Sequence, residues 1–177
     1  MRDEHGRNIK RTKHLGFERR MAARTARVAL TYIPIGLAFN ALVLSFGRVE
    51  GRSMQPTLNP SDTDRELVLL DKFSVQVAHR VARGDVIVLK SPSDPSELLT
   101  KRLIAIEGDW VEGRSGRRVV VPAGKCWIEG DNGELSDDSN SFGCVPMALI
   151  EARVAAVVWP LNHLRVIRNQ YPENRII

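Results

Sequence analysis

Residues 98–109 read LLTKRLIAIEGD, a mainly apolar run that closes on a Glu-Gly-Asp turn signal. Its leucines and isoleucines, bounded by turn residues, indicate a strand. Similar short runs separated by Gly, Pro, Asp and Ser follow Gly47, at 66–71, 73–78, 85–90, 110–112, 118–121, 125–129 and 152–159. This spacing predicts an antiparallel, mostly β domain over residues 48–168, with loops at 91–97 and 113–117 and a loosely held tail at 169–177.

A lysine, Lys101, stands inside the quoted run with leucines and isoleucines on both sides. Its amine becomes a base near neutral pH only when desolvation brings the pKa from about 10.4 down to roughly 7–8, which apolar neighbours can supply. A serine hydroxyl needs such a base to act as a nucleophile. Ser53, within GRSMQPTL at 51–58, is the candidate. The pair predicts a serine protease with a lysine base.

Cysteine and histidine usage argues against other catalytic chemistry. Two cysteines, Cys126 and Cys144, do not make a disulfide framework or a metal site, and by default they are small buried hydrophobes. A bridge between them stays open for an oxidising compartment. The histidines are scattered, so neither His79 nor His163 completes a Ser-His-Asp triad. We expect no metal and no cofactor.

The basic charge belongs to the first 27 residues. They hold nine Lys and Arg against three Asp and Glu, a surplus of +6, which leaves −1 of the overall +5 for the rest of the chain. The nearly neutral remainder shows no interleaving of aromatic and basic residues, so we expect no nucleic-acid binding.

The next segment, residues 28–47, contains no charge. Twenty residues at about 1.5 Å each span roughly 30 Å, the thickness of a bilayer's hydrocarbon core. We therefore expect one transmembrane helix at 28–47, with a cleavable signal peptide and a buried core helix as alternatives. The basic flank predicts that residues 1–27 stay inside and 48–177 lie on the far side. Arginine-rich residues 19–27 also fit a mitochondrial address, whereas Asp3, Glu4 and Glu18 depart from the acid-poor norm of such segments.

Four segments resemble the type I signal peptidase family. They are Ser-Met-x-Pro-Thr at 53–57, Gly-Asp-Val-Ile-Val at 84–88, the Lys-Arg strand ending in Gly-Asp at 101–109, and Gly130-Asp131-Asn132 followed by Ser136, Asp138-Ser139 and Phe142-Gly143. They stand in the family's order across residues 49–146. The resemblance implies a signal-peptidase-like antiparallel β-sheet catalytic domain, without the large accessory domain of some bacterial members.

The resemblance also implies roles for individual residues. Ser53 is the nucleophile, and Lys101 is the general base that later returns its proton to the leaving amine. Ser136 resembles the serine that aims the lysine amine, and Asp138 resembles a carboxylate that braces the same loop. The family often pairs that carboxylate with an arginine two residues on, but Asn140 stands there, which leaves its partner undefined.

Substrate contacts are implied in the same way. Met54, Leu99 and Thr100 resemble positions that line shallow pockets for small side chains, so we expect Ala or Ser before the cleaved bond. The substrate is expected to bind as an added extended strand. An oxyanion hole is expected to use the Ser53 backbone N–H. Some bacterial members add a serine hydroxyl at the position of Gly51, and that donor is absent here.

Residues 49–60 and 138–143 most resemble the second-subunit group among the mitochondrial inner membrane peptidases of this family. The resemblance implies a single-pass inner-membrane enzyme with its tail in the matrix and its catalytic domain in the intermembrane space. It implies a heterodimer with inner membrane peptidase subunit 1, working beside the lipid bilayer. The substrates implied are membrane-anchored precursor proteins, from which sorting presequences are removed.

Two alternatives belong to other classes. A self-cleaving repressor shares the Ser-Met nucleophile and lysine base, but its N-terminus is a soluble DNA-binding domain, which a charge-free segment at 28–47 opposes. A non-catalytic partner of an active peptidase tolerates loss of Ser53 or Lys101, and both are present.

Overall fold

The computed structural model describes residues 43–63 and 65–170, together with residues 24, 27, 28, 30–32 and 36. The strands within these ranges are β1 Leu44–Arg48, β2 Leu67–Asp71, β3 Val86–Lys90, β4 Leu98–Ile106, β5 Trp110–Glu112, β6 Arg118–Val120, β7 Lys125–Glu129, β8 Val145–Pro146, β9 Ile150–Trp159 and β10 Arg165–Val166. Short helices lie between them: a π-helix at Phe73–Val77, a one-turn α-helix at Ser139–Phe142, and 3-10 turns at Met147–Leu149 and Leu161–His163.

Antiparallel pairing connects all these strands. The main sheet has the order β1-β2-β9-β3-β4-β7-β8, with β10 paired to β9, while β5 and β6 form a separate hairpin. Three strands separate β1 from β4 in this order, yet residues 47–51 and 97–101 line one cavity. The sheet therefore curls until its first strand faces its fifth.

Both faces of the sheet are covered, as the alternation along β3 shows. Val86 and Val88 join a cluster with Met54 and Leu58, whereas Ile87 and Leu89 join one on the other face. A third cluster lies under the β5–β6 hairpin and contains Ile104, Ala105, Val111, Val121 and Trp127. Burial on both faces explains why these strands read as continuous apolar runs.

The mostly β prediction is confirmed, and residues 98–106 of the run at 98–109 form β4. Loops at 91–97 and 113–117 also lie where expected. Run 73–78 departs from the strand pattern and forms the π-helix. Its start is fixed by Asp71, whose carboxylate accepts hydrogen bonds from the backbone N–H and the hydroxyl of Ser74. This local bonding diverts the chain from the sheet.

The expected helix at 28–47 is wrong at its C-terminal end. Residues 44–47 belong to β1, which pairs with β2 from Leu44 opposite Asp71 to Arg48 opposite Leu67. Residues 29, 33–35 and 37–42 of that span lie outside the described residues. In the part of the chain that the structure describes, no helix combines the length and apolar character needed to cross a membrane.

The tail expected at 169–177 is held at its start. Asn169 Nδ2 donates to the carbonyl of Arg83 at 2.6 Å and to Asp85 Oδ1 at 3.0 Å. The backbone N–H of Gln170 bonds the Gly84 carbonyl at 3.2 Å. Residues 171–177 lie outside the described residues.

Candidate active site

Lys101 lies near the middle of β4 and is almost excluded from water. The residue is 3% exposed, and its Nζ donates a hydrogen bond to Ser136 Oγ at 3.0 Å. Burial is the largest influence and lowers the pKa of Lys101; nearby carboxylates raise it in part, and the guanidinium of Arg114 lowers it. The net direction is downward, which is what a lysine base requires.

Ser53 lies in a tight turn after β1. The turn is closed by hydrogen bonds from Gln55 N to the Arg52 carbonyl at 3.1 Å and from Leu58 N to the Met54 carbonyl at 2.9 Å. The residue is half-buried.

Gly51 enters this turn with φ +89, a conformation that L side chains rarely adopt. The space around it is open, so the backbone angle and not crowding favours glycine there. The serine that some bacterial members carry at this position is disfavoured by the local backbone of this chain.

Ser136 is held against the Ser53 turn. The Ser53 carbonyl accepts a hydrogen bond from Asn132 N at 3.0 Å. A Cβ at Gly130 would overlap both the Ser53 carbonyl oxygen and Ser136 Oγ, so these atoms lie directly against that glycine. The segments around residues 53, 101 and 136, which the sequence analysis proposed as one site, do meet in space.

Asp138 is fully buried behind Ser136. Its carboxylate accepts hydrogen bonds from Gly130 N at 3.0 Å, Asn140 N at 3.1 Å and Asn140 Nδ2 at 2.9 Å, and from the Ser136 hydroxyl. Burial alone raises the pKa of Asp138, but these hydrogen bonds outweigh it and hold the pKa below its ordinary value. The Ser136 hydroxyl therefore donates to a carboxylate while its oxygen receives the lysine amine.

The carboxylate's charged partner is Arg114, which sequence reasoning did not single out. Arg114 lies in the β5–β6 turn, and its Nη1 reaches Asp138 Oδ2 at 3.1 Å. Asn140 connects the same elements, because its side-chain oxygen accepts from Arg114 N at 2.8 Å while its amide nitrogen donates to Asp138 and to Glu129 Oε1.

Arg102, next to the lysine, fastens the site from the opposite face of β4. It is 4% exposed and forms two hydrogen bonds to the Asp131 carboxylate, at 2.7 and 2.5 Å. It also donates to the Gly84 carbonyl at 2.8 Å and to Thr57 Oγ1 at 3.3 Å. One side chain thus joins β4 to the segments carrying Ser53 and Ser136.

A cavity of about 410 Å³ opens onto the site. Ser53 and Lys101 line it together with Met54, Leu99 and Thr100, the three positions expected to contact substrate. The β4 residues 98–101 pair with β3, whereas pairing with β7 begins only at residue 102. Among the described strands, none covers the other edge of 98–101, so its backbone groups are available for an added strand.

A buried polar network anchors the turn that carries Ser53. Glu66 is fully buried and accepts two hydrogen bonds from Arg165, at 2.7 and 2.9 Å, and one from Asn59 N at 3.0 Å. Asn59 Nδ2 donates to the carbonyl of Val49, and Arg165 donates to that of Thr57 at 2.7 Å. His163 Nδ1 lies 3.0 Å from Glu66 Oε1, so this histidine belongs to the network and not to a catalytic triad.

Cys126 and Cys144 are free thiols. They belong to different hydrophobic clusters, and burial raises the pKa of Cys126 to about 12. Among the described residues, no group of three His, Cys, Asp or Glu side chains is placed to hold a metal ion.

The chain is similar in sequence to signal peptidases and to mitochondrial inner membrane proteases. Residues 22–120 match the family model "Signal peptidase, peptidase S26". The chain is 37% identical to mitochondrial inner membrane protease subunit 2 of Danio rerio over 90% of this chain and 88% of that protein. It is 42% identical to mitochondrial inner membrane protease subunit 1 of Schizosaccharomyces pombe over 64% of this chain and 72% of that protein. A crystal structure of a signal peptidase I from Enterococcus faecalis overlaps 42% of this chain and 97% of its own, at 25% identity and a TM-score of 0.38.

Proposed function

Because this chain belongs to the S26 signal peptidase family, we propose that it is a membrane-bound serine endopeptidase with Ser53 as nucleophile and Lys101 as general base. One observation carries the proposal: a water-excluded lysine, its pKa lowered by burial, lies in the cavity that Ser53 lines and is hydrogen-bonded by Ser136. A desolvated amine at the nucleophile is what this chemistry needs.

The residues then act in sequence. Lys101 takes the Ser53 hydroxyl proton as Oγ attacks the scissile carbonyl carbon, and the Ser53 backbone N–H donates to the oxygen that becomes negative. The resulting lysine ammonium passes its proton to the leaving amine as the C–N bond breaks, which leaves an acyl-enzyme on Ser53. A water molecule, deprotonated by the same amine, then attacks the acyl carbon. The bond from that carbon to Ser53 Oγ breaks, Oγ takes its proton back from the lysine ammonium, and the product acid leaves. Ser136 and Asp138 hold Lys101 in place throughout.

Substrate binding uses the open edge of β4. A precursor segment in extended form pairs with residues 98–101, which brings its scissile bond to the Ser53 turn. Met54, Leu99 and Thr100 line the same cavity, and the family resemblance implies a preference for Ala or Ser before the cleaved bond.

The substrate class and location follow from the relatives. Their names place them in the mitochondrial inner membrane as protease subunits 1 and 2. We infer that this chain removes sorting presequences from membrane-anchored precursors bound for the intermembrane space, in a heterodimer with a subunit 1. The basic tail and the charge-free segment after it support a single span with the catalytic domain outside the matrix.

The deciding experiment is cleavage of a membrane-anchored precursor by the purified full-length chain, alone and with subunit 1. Wild type is expected to cleave, and Ser53→Ala is expected to be inactive while folding normally. Cleavage by Ser53→Ala equal to wild type would reject the nucleophile. If the complex of subunit 1 with wild type and the complex with Ser53→Ala cleave equally well, this chain is a non-catalytic partner.

A further inference from the structure

The β5–β6 turn reaches across to the segment that presents Ser136. Arg114 Nη2 donates to the Gly130 carbonyl at 2.9 Å, and Nη1 donates to the Gly133 carbonyl at 3.2 Å and to the Asp138 carboxylate. These three acceptors surround Ser136 in sequence. The planar guanidinium matches such a set of acceptors, which a lysine ammonium does not.

The surroundings are built to receive this side chain. A Cβ at Gly133 would lie 3.0 Å from Arg114 Nε, so the glycine leaves room for the guanidinium. The turn itself is closed by hydrogen bonds from Gly113 N to the Arg117 carbonyl and from Gly116 N to the Gly113 carbonyl. Arg114 therefore projects from a turn that is closed by backbone hydrogen bonds.

We propose that Arg114 is a positioning residue of the active site: it fixes the 130–138 segment so that Ser136 meets the Lys101 amine, and it offsets the charge of Asp138 behind them. The inference rests on the proposed Ser53–Lys101 chemistry and deepens it. The residue touches neither substrate nor reacting atoms, and it acts through Asp138 and Ser136.

The charged groups around the Lys101 amine make this role distinguishable from a purely structural one. Besides burial, Asp138, Asp137 and Glu97 raise the pKa of Lys101, and Arg114 lowers it. Arg114 Nη2 also lies 3.6 Å from Glu129 Oε2. Loss of the guanidinium removes one of the influences that lower the pKa of Lys101, so this pKa moves up although burial still lowers it. Because the base must be neutral, the rising limb of the rate profile then moves to higher pH. Loss of packing alone lowers the rate by the same factor at every pH.

The test measures kcat/KM against pH for precursor cleavage by the full-length chain, together with thermal unfolding. Arg114→Ala is expected to lose about ten- to a hundredfold at neutral pH, to shift its rising limb upward and to recover part of the rate in alkali. Arg114→Lys keeps the charge, so its limb stays in place while its rate falls. Arg117→Ala, which removes an exposed charge from the same turn, is expected to behave as wild type.

A second-site rescue completes the test. Asn140→Arg in the Arg114→Ala background restores a guanidinium beside Asp138, and it is expected to return the limb toward its original pH. An Arg114→Ala profile lowered equally at all pH, or equal to that of Arg117→Ala, would overturn the inference. If Arg114→Ala does not fold, a wild-type rate for Arg114→Lys overturns it. Ser53→Ala is measured in parallel. Wild-type cleavage by that variant would show that the proposed Ser53 chemistry is wrong, independently of the role of Arg114.

Discussion

At Lys101 burial and charge act in opposite directions on one amine. Burial lowers its pKa and is the larger influence, while neighbouring carboxylates raise it. We predict that kcat/KM rises as pH rises through this lowered pKa and stays high under mildly alkaline conditions. Lys101→Arg is expected to be inactive at every pH, because a guanidinium remains protonated. A profile set by a group near about pH 6.5 would instead indicate a histidine base.

Gly130 carries a second prediction at the same scale. A methyl group there overlaps the Ser53 carbonyl oxygen and Ser136 Oγ, so Gly130→Ala must push the two segments apart. We expect cleavage to fall by about a hundredfold or more. Gly124→Ala is the control, since it meets open space at φ +71 and costs about 1 kcal/mol of stability without touching the site. Equal cleavage rates in the two variants would contradict this geometry.

The sequence reveals some of these residues and hides others for a physical reason. Ser53, Lys101, Ser136 and Asp138 each lie in a short local pattern, and their placement together agrees with that reading. Arg114 has no such pattern, because its partner Asp138 lies 24 residues away and the hairpin alone brings them together. The one indication in the sequence is Asn140, which stands where the family often carries the arginine partner of this carboxylate.

At the scale of elements, the network at Glu66 connects the Ser53 turn to the C-terminal part of the domain. Burial raises the pKa of Glu66, but the hydrogen bonds from Arg165, Asn59 and His163 outweigh it and lower the pKa. A lowered carboxyl pKa stabilises the fold above the ordinary value of 4.5, and this stabilisation is lost as pH falls through the folded pKa. Glu66→Gln is expected to lower the free energy of unfolding by about 3 kcal/mol at neutral pH, measured by urea unfolding, and to reduce the further loss of stability below pH 4.5.

The matched control is Glu50→Gln. Glu50 forms an exposed pair with Arg65 at 3.0 Å. Exposed pairs contribute little, so its stability and pH dependence are expected to remain those of wild type. If Glu66→Gln and Glu50→Gln have the same free energy of unfolding and the same pH dependence, the buried network does not anchor the Ser53 turn.

Strands that are long and buried on both faces are readable from sequence, as the match of 98–106 to β4 shows. Residues 44–47 were misread because absence of charge does not separate a helix from a strand, and only pairing with β2 decides it. Strands β8 and β10 are only two residues long, which is too short for an alternation of apolar and polar side chains to be recognised in the sequence.

For the whole molecule, charge asymmetry predicts orientation. Residues 1–27 carry +6 and the rest −1. We expect protease added after the outer membrane is opened to digest residues 48–177 and spare 1–27. Neutral replacements at Arg19, Arg20, Arg24 and Arg27 are expected to weaken both this orientation and precursor processing. Protection of the Ser53 domain within the matrix would exclude the proposed substrate class.

The contact between Arg165 and the Thr57 carbonyl also bears on when the chain can first become proteolytically active. Ser53 emerges early from the ribosome or an import channel, but the residue that secures its turn comes 108 positions after Thr57. A chain delivered from its N-terminus therefore keeps this turn unsecured until Arg165 has arrived. We therefore expect a chain that ends before Arg165 to lack cleavage activity, because the turn that carries the proposed nucleophile is not held.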